Sequence, residues 1–252
     1  MAGAAVLYNT YWVRFAHGHV NHQTAVRNTE TLLRAAERAG IRRIVHVSIT
    51  NPSLDSPLPY FRGKARVEDL IRSSSLSYAI LRPAVIFGEE DILINNIAWL
   101  LRKSPLFAIP GSGEYGLQPI FVDDLTDLAV EAGHGTDNLV IDAVGPEAFS
   151  YVELVKLIRC TIGSRSRVIH LPPSWVQLAS WMVGLMVNDV ILTKDEVRGL
   201  TANLLISKQE PAGHTSLRKW IEEHAGQIGT SYASELDRHY QPPHSGQPAG
   251  SE

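Results

Sequence analysis

Tyr60 and Lys64 are the pair of side chains in this sequence best suited to move a proton. They open a helical pattern, and residues at positions i and i+4 of a helix share a face. A neighbouring ammonium favours the phenolate, so Lys64 is expected to lower the pKa of Tyr60 toward the working pH. Ser48 ends an apolar strand pattern just upstream, and open α/β sheets bind ligands at the carboxyl ends of their strands. This context favours an acid/base site over the alternative, a surface tyrosine beside a solvated lysine.

The first part of the chain alternates strand and helix patterns. Near-continuous apolar strands are predicted over 4–12, 44–49 and 76–82, with helices over 23–39 and 60–73. Strands of this kind separated by helices are typical of a parallel sheet in an α/β fold. Right-handed crossovers make consecutive strands neighbours.

Beyond residue 88 the pattern is less regular. It predicts a helix over 91–103, a loop over 105–119, a strand over 120–122, a helix over 124–131 and a strand over 139–142. Helices dominate from residue 151 onward. The Pro-, Gly- and Ser-containing end, 239–252, is expected to be a disordered tail.

Composition narrows the functional classes. A net charge of −3 and a pI near 6.4 give no electrostatic reason to expect a nucleic-acid partner. One cysteine, Cys160, suits a reducing compartment, so a cytoplasmic location is expected. The most apolar stretch, 175–187, is shorter than the ~20 residues that a membrane span needs. We expect a buried helix there and no transmembrane span, with peripheral membrane contact as the alternative.

Several segments resemble the short-chain dehydrogenase/reductase superfamily in its extended and atypical branch. That branch includes nucleotide-sugar epimerase/dehydratases and the NAD(P)H-binding subunit of respiratory complex I. The matching segments are 25–33, 45–48, 60–64, 81–88 and 122–125, with weaker similarity over 213–217. The resemblance implies a partial Rossmann-like parallel sheet with a smaller, mostly helical substrate domain.

The resemblance also implies domain boundaries and an activity. The truncated NAD(P)-binding domain would comprise 1–88 and 118–145, and the substrate domain 89–117 and 146–238. The implied activity is that of an NAD(P)-dependent oxidoreductase or epimerase/dehydratase acting on a small-molecule or nucleotide-linked substrate. The alternatives are a non-catalytic NAD(P)-binding or assembly protein and an inactive fragment.

Four residues match the catalytic tetrad of that superfamily. The resemblance implies that Asn28 supports the proton relay and that Ser48 holds the substrate oxygen. Tyr60 would be the acid/base, and Lys64 would bind the nicotinamide ribose and tune Tyr60. Further cofactor contacts are implied near that ribose for Asn9 and Thr10, and along the nicotinamide for Pro83, Ala84, Val85 and Ile86.

The sequence departs from the superfamily at its beginning. The first visible strand resembles the family's fourth, and no glycine-rich strand–turn–helix that would hold a pyrophosphate precedes it. We therefore expect a fragment or a half-domain that binds free NAD or NADP weakly, the choice between the two being unreadable. The uncovered edge of the first strand is expected to lead to homo-oligomers.

Two other motifs carry little chemistry. The segment 111–116 matches G-x-G-x-x-G, but Leu117 and Pro119 follow it instead of a helix, so it is not a dinucleotide loop. His17, His19 and His22 cluster without acidic partners, so no metal site is predicted.

Overall fold

The computed structural model describes residues 3–16, 20–187, 189 and 193–236. His17, His19 and the predicted tail 239–252 lie outside the described residues. In chain order the elements are β1 (Val6–Asn9), α1 (His22–Arg38), β2 (Arg43–Val47), α2 (Pro59–Arg72), β3 (Ser77–Leu81), β4 (Val85–Phe87), α3 (Leu93–Lys103), β5 (Leu106–Pro110), β6 (Gly116–Leu117), β7 (Pro119–Phe121), α4 (Val122–His134), β8 (Leu139–Ile141), β9 (Phe149–Ser150), α5 (Tyr151–Thr161), β10 (Arg167–Leu171), α6 (Pro173–Val187), α7 (Lys194–Thr201) and α8 (Leu217–Glu223).

The central sheet is parallel, with strand order β1-β2-β3-β8. Val6 pairs with Arg43 across β1 and β2, and Ile80 pairs with Val140 across β3 and β8. The predicted α/β fold with a parallel sheet of consecutive strands is therefore confirmed. β1 is one edge of this sheet, and no strand of the described residues is paired to its outer side.

Both faces of the sheet are covered, which explains why its strands are continuously apolar. Ile44 and Ile80 pack in a cluster with side chains of α1 and α2, whereas Val45, Ala79 and Leu81 pack in another cluster with side chains of α4. Successive residues of a strand point to opposite faces, so a two-sided core requires an apolar side chain at nearly every position. Burying each isoleucine contributes roughly 1.5–3 kcal/mol.

The predicted loop over 105–119 is wrong in its first part and again near its end, where β6 lies and β7 begins. Leu106–Pro110 forms β5, which pairs in parallel with β10, Arg167–Leu171. The partner strand is distant in sequence, so local turn residues around Pro105 and Pro110 concealed the pairing. The segment 111–116 leads into β6, as the rejection of a nucleotide loop required, and Val152 N donates to Gly113 O at 3.0 Å.

Two segments that carry the family resemblance meet at the start of α4. Asp124 Oδ2 accepts hydrogen bonds from the backbone N–H groups of His214 and Thr215, both at 2.8 Å. Thr215 Oγ1 donates to the other carboxylate oxygen at 2.8 Å. The buried carboxylate therefore ties the 213–217 loop to the helix start.

The apolar helix α6 is not buried on all sides. Trp175 and Leu178 are 62% and 51% exposed, so the prediction of a buried helix is wrong for that face. Within the described ranges, no helix combines the length and the apolar character that crossing a bilayer requires.

Candidate functional site

Three parallel strands end at one edge of the sheet, where two of the predicted site residues, Asn9 and Ser48, lie. Asn9 ends β1, Ser48 follows β2 and Arg82 follows β3. Helix α2 presents Tyr60, Lys64 and Glu68 at every fourth position, so these side chains share one face of the helix.

Lys64 lies beneath this edge and not at its surface. Its Nζ donates to Val47 O at 2.8 Å and lies 4.8 Å from the ring centroid of Trp12, a cation–π distance. Burial lowers the pKa of Lys64 to about 7, and the carboxylate of Glu68 acts in the opposite direction. A substantial fraction of this amine is therefore uncharged near neutral pH.

Tyr60 has a different electrostatic environment from the one predicted. Burial raises its pKa, and the charge of Glu196 raises it further, while that of Arg14 lowers it. The raised pKa is opposite to the lowering that the sequence predicted from Lys64. The phenol therefore remains protonated at neutral pH.

Ser48 is hydrogen-bonded to the interior and not to Tyr60. Its Oγ donates to Glu68 Oε1 at 2.6 Å, and Arg82 donates to both oxygens of the same carboxylate at 2.9 and 2.5 Å. Arg72 adds a longer contact at 3.4 Å. Glu68 is 3% exposed, so a nearly buried carboxylate joins β2, α2 and β3.

Asn28 and Thr10 are exposed, whereas Lys64 is buried. Asn28 Nδ2 donates to Tyr11 Oη at 2.9 Å on the exposed side of α1, and Thr10 is exposed. Among the described residues, the side-chain hydrogen bond of Asn28 is therefore with Tyr11 and not with Tyr60 or Lys64.

Asn9 instead contacts a buried histidine that the sequence reasoning missed. His46 Nδ1 lies 3.1 Å from Asn9 Nδ2 and 3.2 Å from Asn9 O. Burial lowers the pKa of His46 to about 3, with the Lys64 charge acting in the same direction. The sequence signal that could have identified His46 was its position in a buried strand. We call the following residues the buried polar network: Asn9, His46, Ser48, Lys64, Glu68 and Arg82.

Trp12 contacts both Lys64 and Tyr60, and the sequence reasoning did not assign it a role. Its ring stacks on His22 with centroids 5.8 Å apart and meets Tyr60 edge-on at 5.9 Å. A Cβ at Gly63 would lie 2.8 Å from Trp12 Cη2, so the glycine permits this close approach. A glycine between Tyr60 and Lys64 on a buried helix face was the signal for a bulky neighbour.

A cleft of about 2000 Å³ lies beside Tyr60. Tyr60 lines it together with Ala84, Val85 and Ile86, so the structure does bring these four predicted site residues together. Its described lining does not include Lys64. Pro83 lies beside this group, and its carbonyl accepts from Thr50 N at 3.0 Å.

The described residues contain no group of three or more His, Cys, Asp or Glu side chains that could hold a metal ion. His22, the described member of the histidine cluster, stacks on Trp12 and meets Tyr60 edge-on with ring centroids 5.8 Å apart. Its contacts are those of an aromatic packing residue.

Comparison with known proteins identifies the type of the N-terminal part of the chain. Residues 2–95 match the model of a family described as NAD(P)H-binding. The chain contains an NAD(P)H-binding domain. A nicotinamide dinucleotide is the cofactor of this type of domain, and the match does not distinguish NAD from NADP.

Curated relatives and a solved structure agree with this assignment. The chain is 27% identical over 204 residues to the mitochondrial NADH dehydrogenase [ubiquinone] 1 alpha subcomplex subunit 9 of Arabidopsis thaliana, covering 77% of the chain and 50% of that subunit. It is 23% identical over 212 residues to the Photosystem II assembly factor Ycf39 of Guillardia theta, covering 78% of the chain and 66% of Ycf39. The NADPH-dependent quinone oxidoreductase QOR2 of Escherichia coli, solved with NADPH, has a similar fold, with a TM-score of 0.64, 18% identity and coverage of 95% and 78%. The chain spans about half the length of the complex I subunits that it matches.

The described arrangement does not fit the ribose contact that the resemblance implies for Lys64. The ammonium is bonded to Val47 O and covered by the Trp12 ring, so it is not presented to the cleft. Trp12 Nε1 is itself a buried donor without a hydrogen-bond partner in the described part of the chain. A ribose at this position would require the indole to move.

Proposed function

We propose that this chain is a non-catalytic member of the NAD(P)H-binding, oxidoreductase-like proteins, which holds a ligand in its apolar cleft. The observation that supports this most strongly is the position of Lys64. Its Nζ donates to Val47 O and is covered by the Trp12 ring, whereas Tyr60 lines the cleft. Ser48 and Lys64 then stabilise the sheet and do not move protons.

The protonation state of Tyr60 supports this proposal. A general base works best with a pKa near the operating pH, and burial moves the pKa of Tyr60 away from it. A phenol that stays protonated is instead a hydrogen-bond donor. Tyr60 is therefore proposed to donate to a ligand oxygen in the cleft.

The relatives support a role in an assembly. One is named as a subunit of NADH dehydrogenase and another as a Photosystem II assembly factor. The outer edge of β1, unpaired among the described strands, is a proposed site of homo-oligomer formation. Sedimentation would detect it, and a monodisperse monomer would contradict it.

The proposed cytoplasmic location rests on the single cysteine.

A second candidate function is an NAD(P)-dependent oxidoreductase or epimerase/dehydratase that uses Ser48, Tyr60 and Lys64. The specific observation in its favour is that Tyr60 and the turn Ala84–Ile86 line one cleft. A protonated Tyr60 suits donation to a carbonyl undergoing reduction. Lys64 would contribute only after Trp12 moves.

Titration and turnover measurements separate the two functions. We expect weak binding of NADH and NADPH and no turnover of a panel of carbonyl compounds. Turnover that falls roughly 10²–10⁴-fold in Tyr60→Phe would overturn the non-catalytic proposal and support the enzyme. Phe keeps the aromatic packing, so this variant tests the hydroxyl.

A further inference from the structure

The cleft is larger than a small substrate needs. Ligand pockets usually measure roughly 300–1,000 Å³, and this one measures about 2000 Å³. It extends from the groove between α1 and α2, past Tyr60, to β5, β10 and α6. Beyond Tyr60 its walls are mostly apolar, with side chains such as Ile97, Phe107, Ile169 and Leu200.

Its carboxylates already have basic partners. Glu196 and Glu235 contact Arg14 at 2.5 and 3.0 Å. The other two lining carboxylates contact arginines outside the lining: Glu30 with Arg34 at 2.6 Å, and Asp195 with Arg198 at 3.8 Å.

The arginines that line the α1–α2 end of the cleft differ from these carboxylates, because they are not part of ion pairs among the described residues. Arg27, Arg62 and Arg66 all line the cleft and are exposed. Arg62 donates to Ser56 O at 2.8 Å, and Arg27 to Thr24 Oγ1 at 3.2 Å. Within the described ranges, none of the three has a carboxylate partner. This end therefore carries uncompensated positive charge.

We propose that the cleft binds an anionic amphiphile: one acyl or prenyl chain with a carboxylate or phosphate head group. The chain lies along the apolar walls of β5 and β10, and the head group contacts Arg27, Arg62 and Arg66. Burying a long apolar chain supplies most of the affinity, since each buried CH₂ contributes about 0.8 kcal/mol. Arginine guanidinium groups match carboxylate and phosphate geometry.

This ligand class rests on the proposed function only in placing the ligand in the cleft beside Tyr60. A nucleotide sugar, the alternative, needs hydrogen-bonding partners for most of its surface, and the walls beyond Tyr60 are mostly apolar. The test uses neither cofactor nor turnover. Failure of the amphiphile proposal is therefore distinguishable from failure of the non-catalytic proposal.

The probe is cis-parinaric acid, a fluorescent fatty acid, titrated in parallel with its uncharged methyl ester. We expect saturable binding of both to the full chain, with the acid bound more tightly. The double variant Arg62→Gln/Arg66→Gln should weaken binding of the acid by roughly tenfold and leave binding of the ester unchanged. The matched control, Arg38→Gln/Arg42→Gln, changes two exposed arginines outside the lining and should bind like wild type.

The apolar wall is tested separately. Ala108 lines the cleft from β5, so Ala108→Trp should weaken acid and ester alike by filling the space. Ala202→Trp, at an exposed position outside the lining, is the control for the added indole. Displacement of the probe by palmitate and by decyl phosphate then distinguishes a carboxylate ligand from a phosphate ligand.

The results divide clearly. Loss of acid binding in the arginine variant, together with loss of both probes in Ala108→Trp, supports the proposal. No saturable binding of either probe would overturn it. Equal affinity for acid and ester, unchanged in the arginine variant, would also overturn it, because the head group would then make no contribution to binding.

Discussion

The buried polar network and the apolar cleft differ in almost every physical property, although Trp12 contacts a residue of each. The side chains of the network are buried except for the partly exposed Arg82, and each is hydrogen-bonded in the interior, whereas the cleft is wide and mostly apolar. Tyr60 belongs to the cleft and Lys64 to the network. Two residues at catalytic spacing therefore serve different regions, and spacing along a helix does not establish a shared site.

The largest effect is expected from Glu68→Ala. It removes the carboxylate that accepts from Ser48 and Arg82 and leaves a half-buried guanidinium without its partner. Breaking such a buried pair costs roughly 3–5 kcal/mol, and exposure of Arg82 places this case near the lower end. Urea unfolding measures the loss of unfolding free energy.

Exposed Glu222→Ala on α8 is the control and should unfold like wild type. If the two regions are independent, the purified Glu68→Ala protein should still bind parinaric acid normally at low temperature. An unchanged midpoint in urea would show that the network contributes little to stability.

The second prediction concerns pH and Lys64. Its pKa is lowered by burial to about 7, from an ordinary value near 10.5. Between these values the unfolded chain binds a proton that the folded chain releases, so this group makes stability rise with pH from about 7 to 10. The slope is at most about 1.4 kcal/mol per pH unit.

Lys64→Met should flatten this rise, because methionine keeps much of the apolar stem and removes the titrating amine. Urea unfolding at pH 7, 8 and 9 measures the difference, with exposed Lys103→Met as the control. A Lys64→Met slope equal to that of wild type would place the ammonium in water and contradict the buried position.

The sequence predicted the sheet well because its signals are local or periodic. Two-sided apolar strands and the helices between them are properties of short segments, and Gly40 stops α1 with a positive φ of 75°. β5 was missed because its partner β10 lies about sixty residues away, beyond any local pattern. The directions of Lys64 and Ser48 depend on Trp12 and Glu68, whose roles arise from three-dimensional packing.

The smallest change in unfolding free energy is expected from Gly63→Ala, which tests the packing of Trp12 against α2. Alanine is favoured over glycine in a helix by roughly 0.5–1 kcal/mol, but its Cβ would lie 2.8 Å from Trp12 Cη2. The ring is held between His22 and Tyr60, so it cannot move away freely. We therefore expect Gly63→Ala to destabilise the chain by about 1 kcal/mol in urea unfolding.

The effect of Gly63→Ala on stability should change sign when Trp12 is replaced by a smaller residue. In a Trp12→Leu background the same Gly63→Ala change should stabilise the chain by roughly 0.5–1 kcal/mol, because only the helix preference remains. This background also removes the cover of Lys64, so its amine becomes accessible and its pKa should move back toward the ordinary value. A Gly63→Ala effect of the same sign in both backgrounds would mean that Trp12 does not pack on α2.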